Sequence, residues 1–113
     1  MTSTIEEQFH AAMLNIYESA VRLKPPYRAT RFRQMVQENG GKRAADQLLA
    51  SADPSTGFTE LFLRGRENLK LSVEYLVLQR RWRELFTEEQ LSEARKRLKS
   101  VGVVPPDQES ADS

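Results

Sequence analysis

The sequence predicts an all-α fold: a compact bundle of five to six helices with long first and last helices. Apolar residues recur at the three- and four-residue spacing of one helical face, and caps, glycines and prolines separate these segments. The alternation typical of strands is nearly absent. A length of 113 residues makes one domain the default. We place this helical domain at residues 1–104 and predict a disordered acidic tail at residues 105–113.

The first helix is predicted over residues 4–24, and the residue pair Pro25-Pro26 ends it because a proline disfavours a helical residue before it. Its apolar face comprises Ile5, Phe9, Ala12, Met13, Ile16, Ala20 and Leu23. A second helix is predicted over residues 30–38, and Asn39-Gly40-Gly41 stops it as a left-handed cap does. A third covers residues 42–51 with Ala45, Leu48 and Leu49 as its stripe.

The turn cluster at residues 53–57 precedes a short helix predicted over residues 59–64, which Gly65 closes. The apolar run at residues 73–78 fits a buried helix or a short strand. We favour a helix, because Ser72 suits the N-cap and Glu74 would lie in the positive first turn. Residues 80–86 form a turn or bent segment that holds Trp82, which we interpret as a core anchor rather than a cation–π surface.

The start of the last helix has the clearest local signal. Thr87 and Gln90 have the spacing of a capping box, and Phe86 and Leu91 that of a hydrophobic staple. The apolar face that follows comprises Leu91, Ala94, Leu98 and Val101, and Gly102 fits the stop. The basic residues at the end of this helix complement the helix dipole.

Charge is unevenly distributed, although 17 basic and 16 acidic residues balance to a net charge of +1. Seven basic residues and one acidic residue lie between Arg22 and Arg43, a local charge of +6. A positive band attracts phosphate or an acidic protein, and the alternative interpretation is a solvated helix face. The candidate contacts to a phosphate or an acidic partner are Arg28, Arg31, Arg33, Lys42 and Arg43.

The stretch GGKRAADQLL at residues 40–49 is similar to the first helix of the Fis-type helix-turn-helix. A recognition helix should follow a turn of three or four residues at once. Here SADPSTG intervenes, and the next helix is short and apolar, without the side chains that read base edges. We therefore favour a tight corner between two packed helices.

The sequence offers little for catalysis. It has no cysteine and a single histidine, His10, and it lacks the phosphate-loop, dinucleotide, zinc-protease and calcium motifs. The paired acids Glu6-Glu7 and Glu88-Glu89 lie in first helical turns, where acids favour the dipole. We predict no enzyme activity, no cofactor and no metal. Since neither a signal peptide nor a membrane-spanning run is visible, we predict a cytoplasmic protein without membrane contact.

Two blocks resemble a family of small bacterial all-helical proteins that has no established activity. They are GFTELFLRGRENLKLSVEYLVLQRRWRELFTEEQLSEARKRL at residues 57–98 and YRATRFRQMVQENGGKRAADQLL at residues 27–49. The resemblance implies a bacterial origin, a compact helical domain and an accessory role, and it transfers no catalytic residue.

One acid lies inside an apolar run, which makes it a candidate for a buried ion pair. We predict that Glu74 pairs with Arg66, or with Arg64, and so fixes the short helices against each other. The alternative is an exposed acid at a helix N-terminus.

Function is therefore predicted as a non-enzymatic binding or adaptor module that contacts a protein partner or itself. The alternative is a non-specific nucleic-acid-binding protein that uses the basic band Arg22–Arg43. Salt distinguishes the two, because contacts with phosphates weaken steeply as salt rises.

Overall fold

In the computed structural model, which describes residues 4–109, helices follow one another without a strand in that range. The α-helices are α1 (Ile5–Val21), α2 (Thr30–Asn39), α3 (Gly41–Ala50), α4 (Thr56–Leu63), α5 (Val73–Val77), α6 (Glu88–Ser100) and α7 (Pro106–Glu109). Two 3-10 helices, Arg66–Leu71 and Arg83–Leu85, flank α5. The prediction of an all-α fold is confirmed over the described residues.

Capping boxes begin the two longest helices. At α6 the Thr87 hydroxyl accepts from the Gln90 N–H at 3.2 Å, and the Gln90 side chain accepts from the Thr87 N–H at 2.9 Å. The predicted capping box is therefore confirmed. Thr4 and Glu7 form the same arrangement at α1, which satisfies two of the backbone donors that a helix start leaves free.

The core lies between α1, α3, α5 and α6. Phe9 of α1 is fully buried, and its ring meets those of Trp82 and Phe86 edge-on with centroids 5.4 Å away in both pairs. Edge-to-face contacts of this kind add to the stability from area burial. Trp82 is thus a core residue as predicted, although Arg81 also lies 4.5 Å from the centre of its ring.

A one-residue link at Gly40 joins α2 to α3, and it is the corner that the sequence predicted. Gly40 has a φ of +87°, a conformation that side chains disfavour. Gly41 lets α3 approach the backbone of α1, because a Cβ at Gly41 would lie only 2.6 Å from the Cα of His10.

Several boundaries differ from the predictions. The fourth helix begins at Thr56 rather than residue 59, because the Ser55 hydroxyl caps it by accepting from the Phe58 N–H at 3.2 Å. Among the described residues the first helix is the longest, but the last is the four-residue α7, so the expectation of long first and last helices is not confirmed.

The start of the predicted tail belongs to the fold. Pro105 is buried, Pro106–Glu109 form α7, and the Asp107 carboxylate accepts from Nε of Arg95 at 2.7 Å. The predicted disorder therefore does not begin at residue 105, and residues 110–113 lie outside the described part of the chain.

Candidate functional site

A groove opens where the starts of α2 and α4 meet the end of α3. It has a volume of about 470 Å³. We define the groove by three parts. Its apolar floor comprises Tyr27, Phe32, Met35 and Leu48, and its basic edge comprises Arg28 and Arg31. The start of α4, at Ser55, Thr56 and Gly57, completes it. An apolar concavity with a few polar groups at its edge is the usual form of a binding site.

The link between α1 and α2 forms one wall of the groove, and Arg64 holds it in place. Its guanidinium donates to the carbonyl oxygens of Pro25 at 2.7 Å and Pro26 at 3.3 Å. The same guanidinium lies 5.2 Å from the centre of the Tyr27 ring. Tyr27 is further anchored because its N–H donates to the Ala20 carbonyl at 2.9 Å. The wall is not a helix, and hydrogen bonds from Arg64 and to the Ala20 carbonyl hold it in place.

Tyr27 stays a neutral phenol in this wall. Burial raises the pKa of Tyr27, the Glu60 carboxylate raises it further, and Arg64 opposes both. Its hydroxyl faces the start of α4, where a Cβ at Gly57 would lie 3.9 Å away. A neutral hydroxyl both donates and accepts hydrogen bonds, so it gives the apolar floor one polar group.

The basic edge of the groove is free of internal partners. Arg28 and Arg31 are exposed, and neither side chain makes an ion pair or hydrogen bond within residues 4–109. The other three candidate basic residues lie outside the groove. Arg33 packs over the ring of Tyr17 on α1 at 5.3 Å, while Lys42 and Arg43 line a second depression. The groove therefore brings together two of the five candidate basic residues, and the second depression brings together two others.

The second depression is open, has a volume of about 980 Å³ and lies at the junction of α1 with the corner before α3. It contains His10 with Glu6, Glu7 and Asp46. The Nδ1 atom of His10 accepts from the Gly41 N–H at 3.0 Å, so this histidine caps α3 from a neighbouring helix. Asp46 accepts from Lys42 and from Gln90, at 2.8 Å in each case.

Two of the three acids beside His10, Glu7 and Asp46, form hydrogen bonds within the fold. Glu7 belongs to the capping box of α1, whose hydrogen bonds from Thr4 lower the pKa of the Glu7 carboxyl. Within residues 4–109 no group of three or more histidines and acids has an arrangement that would hold a metal ion. The absence of enzyme activity stays a prediction.

A buried ion pair joins α5 to α6. The Glu74 carboxylate accepts from Nη1 of Arg97 at 2.9 Å, and both side chains are 3% exposed. Burial raises the pKa of the Glu74 carboxyl, while the hydrogen bond from Arg97 opposes this shift. The remaining donors of Arg97 reach the Leu48 carbonyl at 3.1 Å, the Ser51 carbonyl at 2.6 Å and Glu93 at 2.9 Å.

The predicted partner of Glu74 was therefore wrong, although the acid is buried as the ion-pair interpretation required. Arg66 is exposed beside Gly102, and Arg64 binds Glu60 and the Pro25-Pro26 carbonyls. One sequence signal pointed to Arg97: it lies three residues after Ala94 on the apolar side of α6. The predicted role of the basic residues at the end of α6, to complement the helix dipole, does not account for the burial of Arg97.

Residues 4–109 thus form an all-helical fold with a groove that has an apolar floor and a basic edge. Comparisons with family models, curated protein sequences and solved structures found no match to this chain. The family resemblance in the sequence thus stays a prediction. No helix within residues 4–109 combines the length and apolarity needed to cross a membrane.

Proposed function

We propose that this protein is a non-enzymatic binding module whose groove accepts a segment of a partner protein. The segment carries an apolar side chain next to an acidic residue. The observation behind this proposal is that two exposed arginines without internal partners, Arg28 and Arg31, border an apolar floor. We place this role, as an adaptor or accessory subunit, in the bacterial cytoplasm.

The two parts of the groove have different roles in this proposal. Burying an apolar side chain on Phe32, Met35 and Leu48 contributes about 25 cal/mol per Å² removed from water. The arginines add selectivity, because a guanidinium binds a carboxylate with two parallel hydrogen bonds. Charge complementarity at an exposed edge affects specificity and association rate more than affinity.

Nucleic-acid binding is less well supported by the arrangement of the basic residues. Arg31 and Arg33 lie on different sides of α2, the first at the groove and the second over Tyr17. Lys42 pairs with Asp46 at 2.8 Å. Arg64 covers Tyr27, which removes one ring face that a base would stack on. The basic band thus does not offer one continuous track for a phosphate backbone.

A defined set of peptides tests the proposal. The probe is a fluorescent decapeptide with one leucine flanked by aspartates. Matched peptides replace either the leucine by serine or the aspartates by lysines. We expect only the acidic leucine peptide to bind, and the double variant Arg28→Glu/Arg31→Glu to weaken binding by at least about tenfold, or 1.4 kcal/mol. Arg22→Glu makes the same kind of charge change at an exposed site outside the groove and serves as the control.

Amide chemical-shift mapping locates the binding site in the same samples. Shifts confined to α2, α4 and the intervening wall support the proposal, and shifts elsewhere contradict it. A single-stranded oligonucleotide that binds with steep salt dependence, while the peptides do not, would favour the nucleic-acid alternative.

A further inference from the structure

The groove lies at the start of α4, and the end of α4 carries the most exposed large apolar side chain of the described residues. Leu63 is 69% exposed and its neighbour Phe62 is 37% exposed. We call this pair the apolar tip. Val104, at 52% exposed, lies in the segment before α7 and is separate in sequence. Burying an exposed apolar side chain of this size against another molecule is favourable in proportion to the area removed from water.

A free carboxylate lies beside the apolar tip. Glu67 is exposed and folds back over the end of α4, because a Cβ at Gly65 would lie 2.7 Å from its Oε1 atom. Glu67 makes no ion pair within residues 4–109, whereas Glu60 is already paired with Arg64 at 2.8 Å. The tip and Glu67 together have the chemistry that the groove is proposed to recognise.

The groove and the apolar tip follow one face of α4. Leu63 comes seven residues, or two helical turns, after Thr56, which lines the groove. Residues at that spacing lie on the same side of a helix, and its rise separates them by about 10 Å. Two copies of α4 that lie antiparallel about a two-fold axis therefore place each tip at the groove of the other copy.

We propose that the groove is occupied by a second copy of this chain, in a closed two-fold dimer. Leu63 of each copy enters the apolar floor of the other, and Glu67 meets Arg28 and Arg31. This inference rests on the proposed function, because it names the segment that the groove binds. Two-fold dimers are the commonest closed assemblies, and their interface uses the same patch on both subunits.

Sedimentation equilibrium of the full chain over a concentration series into the millimolar range tests this dimer. We expect a monomer–dimer equilibrium, and Leu63→Glu should raise the dissociation constant at least about tenfold. Val104→Glu makes the same kind of change at an exposed apolar residue that belongs neither to α4 nor to the groove, and it should leave the equilibrium unchanged. Equal weakening by both variants, or a chain that stays monomeric throughout, overturns the dimer.

Reversing the two charges of the proposed interface pair gives a result that a loss of folding would not produce. Arg31→Glu and Glu67→Arg should each weaken the dimer, because each places like charges together at the interface. The double variant carries both changes in every chain, so the reversed pairs attract again and association should recover. Failure to recover, or assemblies larger than two copies, contradicts the two-fold arrangement.

The peptide experiment separates this inference from the proposed function. If the acidic leucine peptide binds in the groove but the wild-type chain stays monomeric, the dimer is wrong and the binding module stands. If neither peptide nor second copy binds at the groove, both fail. If the dimer forms, the peptide should dissociate it, because the two occupy the same groove.

Discussion

Two groups of arginines in this molecule differ in how their guanidinium groups are satisfied. Arg97 is 3% exposed and donates to two carboxylates and two backbone carbonyls. Arg28 and Arg31 are exposed and have no partner within residues 4–109. A buried guanidinium requires such partners because a bare charge is expensive in the interior. The unpaired arginines at the groove therefore remain available for contacts outside the chain.

Replacing Arg97 should have the largest effect on stability. Arg97→Met leaves the Glu74 carboxylate buried without its partner, and it frees the Leu48 and Ser51 carbonyls. Removing one member of a buried pair costs about 3–5 kcal/mol. Urea unfolding followed by circular dichroism measures the loss of unfolding free energy.

The same substitution at an exposed arginine of the groove provides the reference for the loss of stability at Arg97. Arg31→Met should alter the unfolding free energy by no more than about 0.5 kcal/mol, as is usual for surface substitutions. The double variant Arg97→Met/Glu74→Leu should recover part of the loss, since it removes the stranded charge. A cost for Arg97→Met as small as that for Arg31→Met would refute the structural role.

Gly41→Ala should have the next largest effect. The new Cβ would lie 2.6 Å from the Cα and 3.2 Å from the backbone N of His10, so α1 and α3 must separate. Overpacking of this kind costs about 1–3 kcal/mol. Thermal unfolding measures it.

Gly57→Ala is the control, because the nearest atom to its Cβ is 3.6 Å away, an ordinary contact. We expect this variant to be no less stable than the wild type, since alanine favours a helix more than glycine does. Equal losses for the two variants would show that the close approach of α1 and α3 does not limit stability.

A smaller, pH-dependent effect is expected from the two glutamates with opposite pKa shifts. Burial raises the pKa of Glu74, so the folded state holds this proton more tightly than the unfolded state. This proton therefore adds to the free energy of unfolding at pH values below 4.5, the ordinary pKa of a glutamate. The added stability is lost as pH rises through the raised pKa. Relative to Glu74→Gln, the wild type should therefore become less stable as pH rises through that range.

Glu7 should show the opposite sign. Hydrogen bonds from Thr4 lower the pKa of the Glu7 carboxyl. The ionised carboxylate therefore adds to the free energy of unfolding above the ordinary pKa, and this stability is lost as pH falls through the lowered pKa. Urea unfolding of the wild type, Glu74→Gln and Glu7→Gln at a series of pH values measures both slopes. Slopes of the same sign would contradict the two assignments.

Local signals predicted most of the helices but not all of their boundaries. The apolar stripe of α1, the capping box at Thr87 and the glycine corner at Gly40 depend on residues within one or two turns, and all three are present. The start of α4 was missed, because the Ser55 cap was assigned to a turn cluster with its neighbours. The short α7 was missed because an acidic, proline-led segment is usually disordered.

Residues close together in the sequence were enough to predict the all-α class, the start of α6 at its capping box and the lack of cysteine chemistry. The packing of the helices was needed to show that Glu74 pairs with Arg97, 23 residues away, and that Arg28 and Arg31 share a groove with Leu48. The two kinds of contact differ in how far apart in the sequence the contacting residues lie. Helix formation is governed by residues a few positions apart, whereas partners across a core depend on how the finished helices pack.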